Sequence, residues 1–200
     1  MILEPAYFDR MYAASDDPWG FTSRWYEKRK YAITLAMLPG EHYDDAFEPG
    51  CSIGVMTEQL GPRCARLLSC DVSGAAVQAA AERTAGQPGV RVEQRTLPRD
   101  WPSGKFDLIV FSEFLYYFGG DDLQRILGMS VAALRPGGTL LAVHWRHPVP
   151  EYPRRGDDVH EALAGQPGMS RLAEHREPDF VAEVYTQGPP VSVAQATGLI

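Results

Sequence analysis

The chain has 200 residues, a length that suits a single domain with one sizeable core. Its formal net charge of −7 and pI near 5.2 exclude the basic surface that a nucleic-acid or anionic-membrane partner attracts. Cys51, Cys64 and Cys70, odd in number and without zinc-ligand spacing, read as free thiols of a reducing compartment; Met1-Ile2-Leu3-Glu4-Pro5 lacks a signal-peptide pattern, and no apolar run approaches the roughly 18 residues of a membrane span, so a cytoplasmic protein is expected.

The first forty residues are rich in aromatics: Tyr7, Phe8, Tyr12, Trp19, Phe21, Trp25, Tyr26 and Tyr31. Arg24 to Leu38 reads as a helix stopped by Pro39-Gly40. Asp16-Asp17-Pro18-Trp19-Gly20 before it reads as a turn, so the segment is either a helix packed on the core or a hinged lid over a site. We take residues 1–40 as a helical cap and 41–200 as the core. Strands are predicted over 44–48, 66–71, 90–95, 106–112 and 138–145, and helices over 54–61, 73–85, 121–134 and 158–164. Ser73 and either Asp121 or Asp122 are candidate N-caps, and Asp157 is a candidate cap for the last helix. Phe106-Asp107-Leu108-Ile109-Val110-Phe111 is nearly all apolar, the mark of a parallel strand buried on both faces. Arg171–Glu174 and Phe180–Tyr185 suggest an antiparallel edge hairpin. Strands alternating with helices imply right-handed crossovers and an α/β, Rossmann-like, doubly wound and mostly parallel sheet.

Glu48-Pro49-Gly50-Cys51-Ser52-Ile53-Gly54 lies between the first core strand and a helix, where a glycine turn brings backbone N–H groups close to a ligand. Twenty-one residues after Gly50, Arg66-Leu67-Leu68-Ser69-Cys70 ends in Asp71, at the strand tip where doubly wound folds accept hydrogen bonds from a ribose. The dinucleotide fingerprint G-x-G-x-x-G does not fit over Gly50 and Gly54. Gly50-x-Ser52-x-Gly54 also matches the nucleophile elbow of α/β-hydrolases, but only one strand precedes Ser52 and no His-Gly-Gly loop exists. Glu48 with glycines two and six places on resembles the first motif of class I S-adenosylmethionine-dependent methyltransferases.

Glu113, just past the fourth strand, reads as a solvated loop acid or as a group facing a cationic substrate; Tyr116 and Tyr117 read as core or as pocket walls. His144, His147 and His160 tempt a metal reading, but strand spacing points His144 and His147 to opposite faces and no acid or cysteine pair completes a site, so no metal is expected. His144 is either a proton acceptor, suited by an unperturbed pKa near 6.5, or a hydrogen-bonded structural residue.

A more specific resemblance rests on Asp17-Pro18-Trp19, Trp25-Tyr26-Glu27-x-Arg29-Lys30-Tyr31 and the Glu48–Gly54 segment. It continues through Phe106-Asp107-Leu108-Ile109-Val110-x-Ser112-Glu113-x-Leu115-Tyr116-Tyr117, Pro136-Gly137-Gly138, His144-Trp145-x-His147-Pro148 and Tyr152-Pro153-x-x-Gly156-Asp157-x-Val159-His160. Together these resemble the nodulation protein S family of N-methyltransferases. Ser52 stands where many class I enzymes have glycine. The resemblance implies S-adenosyl-L-methionine as cofactor and methylation of an amino sugar, in nodulation a partly deacetylated chitooligosaccharide; here the acceptor is expected to be a small aminated molecule. Cofactor contacts are expected from Trp19, Glu48, Gly50, Cys51, Ser52, Gly54, Asp71, Val72, Thr96, Leu97 and Ser112. Many methyltransferases hold the adenine amino group with an acid after the third strand; none stands there, so backbone groups of Thr96 and Leu97 take that part. Glu113 is expected to hold an ammonium and His144 to take its proton, in a monomer or weak homodimer. Methyl transfer to oxygen and a non-catalytic nucleotide-binding module on the same fold are the alternatives.

Overall fold

The computed structural model describes residues 3–200; Met1 and Ile2, part of the segment read against a signal peptide, lie outside the described residues. The chain runs α1 (Pro5–Ala14), α2 (Trp25–Ala36), β1 (Tyr43–Pro49), α3 (Val55–Leu60), β2 (Cys64–Asp71), α4 (Gly74–Arg83), β3 (Val90–Gln94), β4 (Phe106–Ser112), α5 (Gly120–Ala133), β5 (Leu134–Trp145), α6 (Gly156–Ala164), β6 (Met169–Arg176), β7 (Phe180–Gln187) and α7 (Val193–Ala196). Its strands form one sheet in the order β3-β2-β1-β4-β5-β7-β6. β1 to β5 pair in parallel, whereas β7 runs antiparallel to both β5 and β6. This is the class I methyltransferase fold, with an antiparallel edge. Among the described residues, no helix is long and apolar enough to cross a membrane.

β4 shows why its sequence is apolar on consecutive residues. Ile109 and Phe111 pack with Leu123, Ile126 and Leu127 of α5, while Leu108 and Val110 pack on the other face with Leu38 and Leu60. Each fully buried Leu, Ile or Phe contributes about 1.5–3 kcal/mol relative to an exposed one. Strand order reverses between β1 and β4, which opens a crevice beyond their carboxyl ends. Gly50 leaves one end and Ser112-Glu113 leaves the other.

Several boundaries differ from the chain reading for physical reasons. α1 precedes the predicted 24–38 helix and begins with Pro5 in its first turn, where the missing N–H costs nothing. β5 starts at Leu134, which pairs with Phe106, and the Pro136-Gly137-Gly138 turn becomes an irregularity inside the strand. Gly119, not Asp121 or Asp122, caps α5; both acids lie in its first turn, where the helix dipole favours them. Arg155 takes the N-cap of α6, leaving Asp157 in the first turn to pair with Arg146 at 2.8 Å. Ser73 does cap α4 by position, but its buried Oγ makes no hydrogen bond among the described residues. The predicted hairpin forms, yet only β6 is an edge: β7 lies inside the sheet, and Phe180 to Thr186 are all buried.

Candidate functional site

A cavity of about 660 Å³ opens at the crevice, a volume in the range of small-molecule sites. Trp19, Glu48, Gly50, Cys51, Ser52, Asp71, Val72, Thr96, Leu97 and Ser112 line it, and so does Glu113. The N-terminal segment roofs it: Tyr12, Phe21 and Tyr31 pack with Ile53, Met56 and Ala76. Trp19 stacks on Phe21 with ring centroids 5.6 Å apart. Asp17 builds the preceding turn by accepting from the N–H groups of Phe21 and Thr22 at 2.8 and 2.9 Å.

The glycine turn is held by β2. The N–H groups of Gly50 and Cys51 donate to the Cys70 carbonyl at 2.7 and 3.0 Å. Gly50 has φ +73°, and a Cβ there would come 2.5 Å from the Phe114 ring. Ser52 has φ +50°, in the left-handed region that favours glycine. Its N–H donates to Asp71 Oδ2 at 2.9 Å, and its Oγ shares a 2.5 Å hydrogen bond with the Tyr12 hydroxyl. The other Asp71 oxygen accepts from Ser73 N–H at 3.0 Å. Asp71 is thus buried and braces the turn, and burial raises its pKa. Glu48, fully buried, accepts from Thr57 and Ser69 hydroxyls at 2.7 Å each, while burial pushes its carboxyl up to about 7. Burial also drives the Cys51 thiol well above its usual range. The hydrolase elbow finds no support in this arrangement, because Ser52 Oγ is paired with a tyrosine rather than a histidine.

Two cofactor expectations are corrected. Gly54 does not line the cavity: it caps α3 at φ +78°, where a Cβ would strike the Ala80 backbone at 2.8 Å, so it serves the close packing of α3 on α4. The Thr96 backbone can offer adenine only the second lone pair of its carbonyl, because its N–H is taken. Its N–H donates to Asp100 Oδ2 and its carbonyl accepts from Asp100 N–H, both at 2.9 Å.

The far end of the cavity holds charge that the sequence reading left unassigned. Lys30, 2% exposed, places Nζ 2.6 Å from Glu113 Oε1 and 2.9 Å from Glu27 Oε2. Burial opposes the Lys30 charge, but Glu113 and Glu27 outweigh it and hold its pKa above the ordinary value. Glu113 Oε2 accepts from the Tyr116 hydroxyl at 2.7 Å and from Trp145 N–H at 2.8 Å. Glu113 is therefore no solvated loop acid, and it sits at φ +53° to make these contacts. Burial raises the Glu27 pKa. Tyr26, Tyr116, Tyr117, Tyr152 and Trp145 wall this end, with the Tyr26 hydroxyl buried and without a partner among the described residues. Only the Trp25–Tyr31 run of the family resemblance marked Glu27 and Lys30 in the sequence.

His144 is corrected as a proton acceptor. It lies outside the cavity lining and fully buried; its Nε2 accepts from Leu115 N–H at 3.1 Å, and its Nδ1 lies 3.1 Å from His160 Nε2. Desolvation, then the neighbouring His160, lowers its pKa well below 6.5. His147, on the exposed side, pairs with Asp179 at 2.8 Å.

The family model described as Nodulation protein S (NodS) matches residues 8–151. Nodulation protein S of Rhizobium tropici is 32% identical over 130 residues, 64% of this chain and 55% of that protein. Nodulation protein S of Bradyrhizobium diazoefficiens is likewise 32% identical over 130 residues, 64% of this chain and 62% of that protein. The chain spans less than two thirds of the length of these curated relatives. A crystal structure from Pseudomonas syringae, described as a candidate methyltransferase, is 47% identical, with a TM-score of 0.73 over 82% of this chain and 99% of that one. N-methyltransferase NodS from Bradyrhizobium japonicum WM9, in complex with S-adenosyl-L-homocysteine, matches 92% of this chain and 98% of that one, with a TM-score of 0.82 at 23% identity, and so speaks for the fold. With its own match to the family model spanning 8–151, this chain belongs to the nodulation protein S family.

Proposed function

We propose that the protein transfers a methyl group from S-adenosyl-L-methionine to the amine of a small acceptor, with amino sugars as the acceptor class its family suggests. One observation carries this reading: a single cavity joins the glycine turn and Asp71 at one end to the Glu27–Lys30–Glu113 cluster and its aromatic walls at the other. The residues fit the cofactor. Gly50 and Ser52 hold left-handed backbone beside the cavity, Asp71 offers ribose an acceptor, and the Thr96 carbonyl and Leu97 carry the backbone part of the adenine contact. Bound there, S-adenosyl-L-methionine supplies an activated methyl group on a sulfonium.

The protein's own work is alignment and charge. A nitrogen–carbon bond forms as the sulfur–carbon bond breaks, so catalysis depends on holding the acceptor nitrogen in line. Aromatic walls exclude water and present flat apolar faces with polar edges to a sugar ring. Two carboxylates around one ammonium leave the cluster with a net negative charge, which favours the positive charge that develops on nitrogen. Glu113 holds the Tyr116 hydroxyl and the Trp145 N–H besides Lys30, whereas Lys30 is the one partner of Glu27 among the described residues, so we assign the proton released by the methylated amine to Glu27. Lys30 Nζ has three donors and two carboxylate partners, and the remaining donor favours a second reading, methyl transfer to an acceptor oxygen.

Radiolabelled methyl transfer distinguishes these readings. Label is expected in glucosamine disaccharides with a free amine and not in their N-acetylated forms. Label in phenolic or carboxylic acceptors alone would install the oxygen reading. Binding of S-adenosylhomocysteine without transfer to any acceptor would indicate a non-catalytic module, and absence of binding would remove the cofactor assignment.

A further inference from the structure

Behind the acceptor wall lies a line of buried polar side chains that the methyl-transfer scheme leaves unused. His144 is the penultimate residue of β5, His160 sits on α6, and Glu183 lies within β7; all three are at most 2% exposed. Their hydrogen bonds have one consistent direction. Leu115 N–H can only donate, so the His144 Nε2 that it meets at 3.1 Å carries a lone pair. Neutral His144 then bears its proton on Nδ1 and donates to His160 Nε2 at 3.1 Å. His160 in turn must bear its proton on Nδ1, which faces Glu183 Oε2 at 2.6 Å. Glu183 also accepts from the Tyr185 hydroxyl and from Arg171, each at 2.7 Å, so the line ends on a well-anchored carboxylate.

The backbone is shaped to allow this line. A Cβ on Gly156, at the start of α6, would lie 2.3 Å from the Trp145 carbonyl and 2.9 Å from His144 Cβ. Only glycine lets α6 approach β5 closely enough for His160, one turn on, to reach His144. The other end of the line is Leu115, the first residue of the short helical turn Leu115–Tyr117. Tyr116 and Tyr117 of that turn line the cavity, and Tyr116 donates to Glu113.

We infer that His144, His160 and Glu183 form a directed hydrogen-bond relay of positioning residues, which fixes the Leu115–Tyr117 turn and through Tyr116 orients the Glu113 carboxylate at the acceptor end. The relay moves no proton. It rests on the methyltransferase reading only in that Glu113 then faces an acceptor. The geometry gives both histidines one tautomer, with Nδ1 protonated and Nε2 bare, and ties the turn to a carboxylate on β7, the strand beside β5.

Nitrogen-15 NMR of the imidazoles in the full-length protein at pH 7 tests the tautomers, and hydrogen exchange tests the coupling. Both histidines are expected with Nδ1 protonated and Nε2 bare. His160→Leu should speed exchange at Leu115, Tyr116 and Tyr117 at least tenfold. His160→Gln, whose side-chain oxygen replaces Nε2 as acceptor for His144, should stay within threefold of wild type. S-adenosylhomocysteine affinity should remain within twofold in both variants, while kcat/KM for a free-amine glucosamine disaccharide falls at least tenfold in His160→Leu and recovers in His160→Gln. A proton on Nε2 of either histidine would overturn the relay, as would unchanged exchange in His160→Leu or equal loss in both variants. Should His160→Leu fail to fold, the wild-type tautomers and His160→Gln still decide. A wild type that transfers no methyl group would remove the functional reading, while the tautomer and exchange results would stand independently.

Discussion

At the scale of single residues, buried acids carry the argument, and each behaves differently from a carboxylate in water. Asp71 braces two backbone N–H groups of the turn while lining the cavity. Asp71→Ala is expected to weaken S-adenosylhomocysteine binding by roughly 1–3 kcal/mol in calorimetry, and to lower stability to urea by a similar amount, because two buried donors lose their acceptor. Unchanged affinity in a folded variant would sink the ribose assignment. Glu48 makes a separate prediction. Burial raises its folded pKa from 4.5 to about 7, so its stabilising contribution is complete below about 4.5 and is lost as pH rises through 7. A shift of that size corresponds to about 3 kcal/mol of stability across the window. Glu48→Gln should flatten the pH dependence of urea unfolding between pH 5 and 8, and a variant as pH-dependent as wild type would show that Glu48 does not titrate there. The glycines and strand-tip acids of the site are legible in sequence because turns and tips are local features. Lys30 is not, since a lysine on a helix reads as solvated until the fold brings Glu113, 83 residues away, against it.

At the scale of elements, the parallel core follows from local pattern, and the differences arise where distant chain decides. Consecutive apolar residues in β4 signal burial on two faces, and the structure puts a helical layer on each. Nothing in Phe180–Tyr185 says whether it is an edge or an interior strand; that depends on β5 offering its free side for pairing. The α5 cap shifted for a related reason: Gly119 takes the extended conformation before the helix, and an acid satisfies the dipole nearly as well one turn in. Gly54 is the element-scale counterpart of these cases, conspicuous in sequence as part of a ligand motif yet used in helix packing. Gly54→Ala places a Cβ 2.8 Å from the Ala80 backbone and forces φ +78° on an alanine. It is expected to cost at least about 1–3 kcal/mol in urea unfolding, through overpacking and strain together. A neutral effect would show that α3 and α4 separate freely, and would return Gly54 to the ligand.

At the scale of the whole molecule, access to the cavity depends on the N-terminal segment, which the sequence left open as either a packed helix or a lid. α1 contributes a single buried residue, Tyr12, whereas the sheet beneath is buried on both faces. Such an imbalance assigns α1 to the low end of local stability, where opening precedes global unfolding. Its polar tie to the glycine turn is the Tyr12–Ser52 hydrogen bond, and Leu3 N–H adds a second tie to the Tyr117 carbonyl at 3.1 Å. Tyr12→Phe keeps the ring between Trp19 and the core and removes only the hydroxyl. Losing one such bond costs about 0.5–1.5 kcal/mol, a roughly two- to twelvefold rise in opening. Hydrogen exchange across Pro5–Ala14 should therefore quicken by that factor, with exchange in β4 unchanged. If the segment must open for ligand to leave, stopped-flow release of S-adenosylhomocysteine should accelerate by the same factor. Faster exchange with an unaltered release rate would mean that ligand leaves by another route and that α1 is packing alone; neither changing would mean that the aromatic contacts of Tyr12, not its hydroxyl, hold the segment down.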